Sequence, residues 1–278
     1  MMKRIIRKYF YHICMILICF VMVYPLLWMI FSSFKPESQI MLSTSSLIPE
    51  EFTLEHYIRG WGGFGRYTFA TFFRNSLFVS IVRMIGTTVS CTLAAYGFSR
   101  INFPMRGIWF AIMISTMCLP GMVLQIPQYL LFNKFGWVGT YLPLLVPSFF
   151  GGAQAIFLLM QFIKTVPREM DEAAMIDGCG RFRMFFNIML PLIRPCIVMT
   201  AVTAFIGSWG DFYSSLIYLN KPTMYPVAYA LKLFADDSGN VIGPPLAMSV
   251  ASLIPILILF AFFQKQLVEG ISTTGVKG

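Results

Sequence analysis

The sequence predicts an all-α membrane protein with six transmembrane helices, and three observations carry that prediction. Only 12% of its residues are charged while 57% are hydrophobic, with a mean hydropathy of +0.72. Soluble domains carry about 25% charged residues, so this composition belongs to a bilayer-embedded body without a large soluble domain. The apolar residues fall into six runs of about 20 residues or more, enough to cross a hydrocarbon core of ~30 Å at 1.5 Å per residue. Alternation at period two over ten-residue stretches, the mark of a membrane barrel, is absent. Helices therefore have to satisfy the backbone polar groups inside lipid.

The first run, residues 13–34, follows the basic start Lys3, Arg4, Arg7 and Lys8. It is too long, and too poor in small residues near its end, for a cleaved signal peptide, so it reads as a retained helix with Pro25 as its kink. The outer loop 35–74 is rich in Ser, Gly and aromatics. Within it the stretch 47–61 reads as a short amphipathic helix at the interface, anchored by Tyr57 and Trp61. The second run, 75–99, is broken by one charge, Arg83. The third, 107–131, contains Pro120 and Pro127, and the fourth is 141–163. The fifth, 196–219, holds Asp211, and the sixth is 246–264. This divides the chain into 1–70 (first helix and outer loop), 71–264 (the membrane core) and 265–278 (a tail).

Six crossings put both termini on one side. With a cytoplasmic N-terminus, the inner segments hold thirteen of the 21 basic residues and the outer segments seven. That bias places both termini in the cytoplasm. The net charge of +9 lies mostly at the ends of apolar runs, which is how topology determinants lie, and it argues against a nucleic-acid surface. The cysteines Cys14, Cys19, Cys91, Cys118, Cys179 and Cys196 show no metal-ligand spacing and read as small buried or free thiols.

The most informative stretch is Glu172 to Pro191, EAAMIDGCGRFRMFFNIMLP, a polar segment between the fourth and fifth runs. Pro167 suits a first helical position, and Glu169, Asp171 and Glu172 follow where they favour a helix start. Ala173 and Ala174 favour helix and leave a low face on which another protein can approach closely. Gly178 is the expected left-handed cap of that helix. A second short helix from Arg181 to Met189 then carries Phe182, Phe185, Phe186 and Ile188, and Pro191 turns the chain into the fifth membrane helix. A loop folding back on its own bundle is the bland alternative. The density of charge and exposed aromatic residues suits an interface better.

Written as a pattern, this stretch is E-A-A-x-x-x-G, nine residues, then I-x-L-P, with Glu172, Ala173, Ala174, Gly178, Ile188, Leu190 and Pro191 at the fixed positions. It resembles the EAA motif of ABC importer permeases, the cytoplasmic loop that docks on the ATPase. The resemblance extends to Arg74-Asn75-Ser76-Leu77, to Ala95-Tyr96-Gly97-Phe98-Ser99-Arg100, to Trp209-Gly210-Asp211-Phe212, and to the end of the chain, Gly270 to Gly278 with its G-x-x-x-x-G-V-K-G. Together these resemble the second permease subunit of carbohydrate importers of the maltose type. Where that family commonly has Asn between the fifth-helix Trp and the acid, this chain has Gly210.

The resemblance implies a type I ABC importer permease fold, with 71–264 as the permease core and 265–278 as a cytoplasmic tail. It implies a cell-membrane permease forming half of the path for an oligosaccharide. The implied partners are a second, different permease, two ATPase subunits, an extracellular or periplasmic sugar-binding protein and membrane lipid. It also implies a coupling role between the ATPases for the tail residues Gly275, Lys277 and Gly278. The chain has no G-x-x-x-x-G-K-[ST] loop of its own, so it needs no cofactor, and ATP with its Mg²⁺ belongs to the partner ATPase.

Asp211 and Arg83 are the charges set deepest in apolar runs, so each faces the bundle interior or an aqueous path. Asp211 stands beside Trp209, Phe212 and Tyr213, an acid among aromatics, which can serve sugar hydroxyls and ring faces. A structural Asp211–Arg83 pair is the competing reading. Asn75 and Gln154 are further path candidates. Two other functions compete: an importer permease for a non-sugar solute, against which the tail argues, and a membrane-embedded enzyme. The latter needs a nucleophile–base pair or a metal cluster, and the two histidines, His12 and His56, stand far from any such set. No catalytic or metal-binding residue is expected.

Overall fold

The computed structural model describes residues 2–42, 46–239 and 241–275, and the side chains of 9–41, 46–239 and 241–266. Among these residues the secondary structure is helical, with one isolated backbone bridge between Phe64 and Tyr67. The chain separates into two compact units, one running to Ala70 and including Leu231–Ile254, the other made of Thr71–Ala230 and the chain from Pro255 on.

The first unit starts with α1 (Met2–Ser32), whose apolar window is nowhere buried. Pro25 sits inside it without ending it. Helices α2 (Glu37–Leu42) and α3 (Glu55–Trp61) follow. The expected interfacial helix over 47–61 is thus only its last two turns, since the stretch before Leu54 is not helical. Trp61 is exposed, but Tyr57 is not a surface anchor: its ring packs 5.2 Å from Phe34 and its hydroxyl is bonded to that of Ser33 at 2.8 Å. Buried His56 donates from Nε2 to the Lys35 carbonyl at 2.8 Å, and Gly243 lies so close under its ring that no Cβ would fit. The Glu37 carboxylate accepts from the N–H groups of Ile242 (2.7 Å) and Gly243 (3.0 Å), satisfying donors at the start of α15 (Gly243–Gly275).

The second unit carries α4 (Phe69–Arg100), α5 (Arg106–Met117) and α6 (Gly121–Lys134). The third apolar run, expected as one helix over 107–131, is in fact α5 and α6 bent by 103° about the break at Pro120. Proline supplies no donor for the helix ladder and pushes the residue before it out of helical geometry. The fourth run is the short α7 (Leu142–Leu145), a 3₁₀ turn (Val146–Phe150), a break at Gly151 and Gly152, and α8 (Ala153–Thr165). The polar segment forms α9 (Glu169–Ile176), α10 (Arg181–Met184), a π-helical turn (Phe185–Met189) and α11 (Leu190–Leu192).

The fifth run is also divided, into α12 (Arg194–Trp209) and α13 (Phe212–Tyr218), with α14 (Val227–Asp237) beyond. Among the described residues, four helical stretches are long and apolar enough to cross a membrane, or up to six when each bent pair counts as one. The core of this unit joins Cys91, Ala95 and Tyr96 of α4 to Ile156, Leu159 and Ile163 of α8. It also takes in Phe185, Met189, Ile193 and Cys196 from the polar segment and the start of α12. The polar segment is therefore not a loose loop, because its own apolar residues belong to the core.

Candidate functional site

The segment from Glu169 to Leu192 is built by three local devices. The first is a Schellman end to α9. Gly178 takes φ +75°, the left-handed conformation the sequence predicts for it, while Cys179 N–H donates to the Ala174 carbonyl (2.9 Å) and Gly178 N–H to that of Met175 (3.1 Å). The second is the π turn, which lengthens one helical turn and sends Phe185 and Met189 inward while Phe186 stays exposed. The third is the bend at Ile193, where the stretch Arg181–Leu192 meets α12 at 78°. The turn was expected at Pro191, but Pro191 lies within α11, which continues the π turn without a break, and the chain turns two residues later; Pro195 then sits at the start of α12, where its missing N–H costs no hydrogen bond. Arg181–Leu192 therefore stands nearly perpendicular to α12.

Two side chains of α4 pin this segment. Arg100 Nη1 lies 3.1 Å from the Asp171 carboxylate, and its Nη2 donates to the carbonyls of Ile163 (3.0 Å) and Val166 (2.6 Å) at the end of α8. Tyr96 donates its hydroxyl proton to the Arg181 carbonyl at 3.3 Å, and its ring packs 4.9 Å from Phe185. A polar cavity of about 240 Å³ opens beside these contacts, lined by Arg168, Glu172 and Arg181 among others.

The motif positions divide between inside and outside. Ala174 is buried, and Ile188 and Leu190 are half-buried, so these three shape the segment from within. Glu172, Ala173, Gly178 and Pro191 are exposed. Beyond the motif, Ile176 and Phe182 are 86% and 81% exposed, with Met175 and Phe186 beside them in sequence also open. The sequence points to Phe182 and Phe186 as anchors for a partner, and they are exposed, whereas Met175, Ile176 and the Arg100–Asp171 and Tyr96 clamps carry no sequence signal that assigns them to the site. The clamp partners stand between 71 and 89 positions apart, beyond any local pattern. Tyr96 and Arg100 did, however, lie in a stretch already singled out.

The path candidates do not come together as one site. Asp211 pairs with Arg83 at 2.6 Å, and its other oxygen accepts from Ser214 N–H at 3.0 Å as the N-cap of α13. Trp209 is buried, stacked on Phe205 (5.7 Å) and edge-on to Phe73 (5.8 Å), whereas Tyr213 is 60% exposed. Asn75 is buried and donates to the carbonyls of Thr223 (2.8 Å) and Tyr225 (3.1 Å), the work of a clamp. Gln154 lines a mainly apolar cavity of about 360 Å³ with Thr87, Thr200 and Thr203.

A third cavity, of about 420 Å³, lies where α4, α6, α7 and α13 meet, and its lining includes Arg83, Gln125, Gln128 and Tyr218. The two glutamines stand at i and i+3 on α6, one face of one helix, a spacing readable in the sequence. At the C-terminus, α15 continues to Gly275, past the helix end expected at 264. The run Gln264-Lys265-Gln266-Leu267 favours helix and carries it on. Lys277 and Gly278 lie outside the described residues.

The family described as binding-protein-dependent transport system inner membrane component matches residues 85–273. Among curated proteins, the chain is 32% identical over 263 residues to the arabinooligosaccharides transport system permease protein AraQ of Halalkalibacterium halodurans, covering 94% of this chain and 93% of that one. It is 29% identical over 280 residues to the trehalose/maltose transport system permease protein MalG of Thermococcus litoralis, covering 100% of both. Among solved structures, a chain of a bacterial ABC transporter that imports the acidic polysaccharide alginate shares the fold, with a TM-score of 0.81 at 19% identity over 94% of this chain and 96% of that chain.

Proposed function

The chain belongs to the family of binding-protein-dependent transport system inner membrane components, and from that premise we propose that it imports an oligosaccharide as one of two unlike permeases driven by two ATPase subunits. It is a membrane transport subunit and not an enzyme. Curated relatives named for arabinooligosaccharide and for trehalose/maltose transport, aligned over nearly the whole chain, support the substrate class.

The observation that carries the coupling role is the outward apolar surface of Ile176 and Phe182 on a segment rigidly fixed from behind by Arg100 and Tyr96. An ATPase seated there moves α4 and α8 with the segment, because the clamp joins all three. Glu172, Ala173 and Gly178 form the rim of that seat, while Ala174, Ile188, Leu190 and Pro191 set its shape. The seat faces the cytoplasm, where ATP is, with both termini on the same side. The tail residues Gly275, Lys277 and Gly278 tune the coupling of the ATPases.

Reconstitution with the partner permease, the ATPase and a sugar-loaded binding protein tests the reading. The expected result is ATP-dependent uptake of a neutral oligosaccharide that stops when the binding protein is left out. A purified complex that holds no ATPase, or that moves a non-sugar solute alone, overturns it.

A further inference from the structure

The 420 Å³ cavity of the second unit has a chemistry that the coupling role does not use. Its volume lies in the ~300–1,000 Å³ range of small-molecule sites. Gln125 and Gln128 project from α6, Thr87 from α4, Ser148 from the 3₁₀ turn, and Ser214 and Tyr218 from α13. Neither glutamine has a hydrogen-bond partner among the described residues. Each primary amide offers two donors and an acceptor. Such groups cannot be left facing hydrocarbon without a cost of several kcal/mol, so their place is against water or a polar solute.

Aromatic rings complete the lining, Phe132 from α6 and Tyr218 from α13. Tyr218 meets Phe132 edge-on at 5.6 Å and is stacked by Tyr129 at 6.3 Å, which makes a stiff apolar wall. Amides and hydroxyls together with aromatic rings are what a pyranose ring requires, with its equatorial hydroxyls and its apolar C–H face. The cation of the cavity, Arg83, is held by Asp211 at 2.6 Å. Asp211 also caps α13, the helix that carries Ser214 and Tyr218, so the ion pair fixes that wall to α4. The lining is thus part polar and part apolar, and its one cation is neutralised by a partner.

We infer that this cavity holds one neutral sugar unit of the oligosaccharide in transit, with Gln125 and Gln128 bonding its hydroxyls, and that the Arg83–Asp211 pair withholds the guanidinium from anionic sugars. The inference rests on the carbohydrate reading above and goes beyond it to the residues and the charge class. Gln125 and Gln128 are specificity-determining contacts. Asp211 is a positioning residue that acts through Arg83.

The test uses the complete importer in proteoliposomes with a loaded binding protein. Gln125→Leu and Gln128→Leu keep side-chain bulk and remove the amides. Each is expected to lower the neutral trisaccharide moved per ATP hydrolysed by about fivefold, the worth of one hydrogen bond. An unchanged ratio overturns the inference, and so does failure of the leucine variants to assemble, which would make the cavity a seat for a partner subunit. Asp211→Asn keeps the cap on Ser214 and frees Arg83. Equilibrium dialysis of the detergent-solubilised importer should then show a galacturonic acid disaccharide bound by this variant and not by the wild type. No gain in binding overturns the charge filter. A wild type that imports no glycan would instead sink the carbohydrate reading itself, a result distinct from variants that behave like a glycan-importing wild type.

Discussion

Arg100, the last residue of α4, holds the Asp171 carboxylate of α9 at 3.1 Å, with both side chains nearly buried, at 7% and 12% exposure. The same guanidinium closes the end of α8 through the carbonyls of Ile163 and Val166. One side chain therefore fastens α4 and α8 to the segment Glu169–Leu192. Removing one partner of a buried ion pair costs about 3–5 kcal/mol, because the other charge is left uncompensated. Arg100→Ala and Asp171→Ala should each strip the ATPase from the purified complex and abolish uptake. The double variant should lose less stability than the two singles combined, by roughly 0.5–3 kcal/mol in a thermal-melt cycle. Strict additivity would show that the pair holds nothing.

Gly178 tests the elbow itself. A Cβ there meets nothing within 4 Å, so any substitution acts through its φ of +75° and not through a clash. An ordinary L-residue in this conformation costs about 1–2 kcal/mol, asparagine less and a β-branched residue more. Uptake should fall in the order Gly, Asn, Ala, Val, with the permease still present in the membrane. Transport by Gly178→Val at the wild-type rate would refute the role of the elbow.

The six apolar runs, the short helices of the polar segment and its left-handed glycine were legible in the sequence because each is local: run length, helix-end chemistry and spacing. What stayed hidden is long-range or depends on breaks. Hydropathy cannot distinguish one crossing from α5 and α6 meeting at 103°, since both halves are equally apolar. The prolines were visible but their angle was not. Asp211 was read as lying within a continuous helix. Because the helix in fact restarts at Phe212, its carboxylate became a cap, while the pairing with Arg83 was already one of the two readings. Asn75 looked like a path residue because a buried amide in a span suggests function, yet the carbonyls it serves lie about 150 positions away.

For Asn75 the structural role gives its own prediction. Replacement by alanine leaves the Tyr225 carbonyl without its donor inside a buried site and removes a second, half-buried bond to Thr223. A buried polar group left unsatisfied costs about 1–3 kcal/mol. Asn75→Ala should lower the melting temperature of the detergent-solubilised complex, and the ranking of transported sugars should not change. A shift in sugar preference with no loss of stability would return Asn75 to the path.

Ile176 and Phe182 give the sharpest test of docking, because within the chain they are almost free of contacts, at 86% and 81% exposure. A substitution there has nothing to disturb in the fold of the permease. Carried into an apolar seam, a carboxylate must be desolvated without a partner, a penalty of several kcal/mol. Ile176→Glu and Phe182→Glu should therefore leave membrane insertion and the melting behaviour of the isolated permease unchanged, yet release the ATPase during purification. Ile176→Leu, which keeps the apolar contact, should retain it. Because the same segment is gripped from behind by Arg100, the front and back lesions should lose the ATPase alike while differing in permease stability. Full retention of the ATPase by the double glutamate variant would mean that the subunit docks elsewhere, and that the exposed face of this segment meets water or lipid.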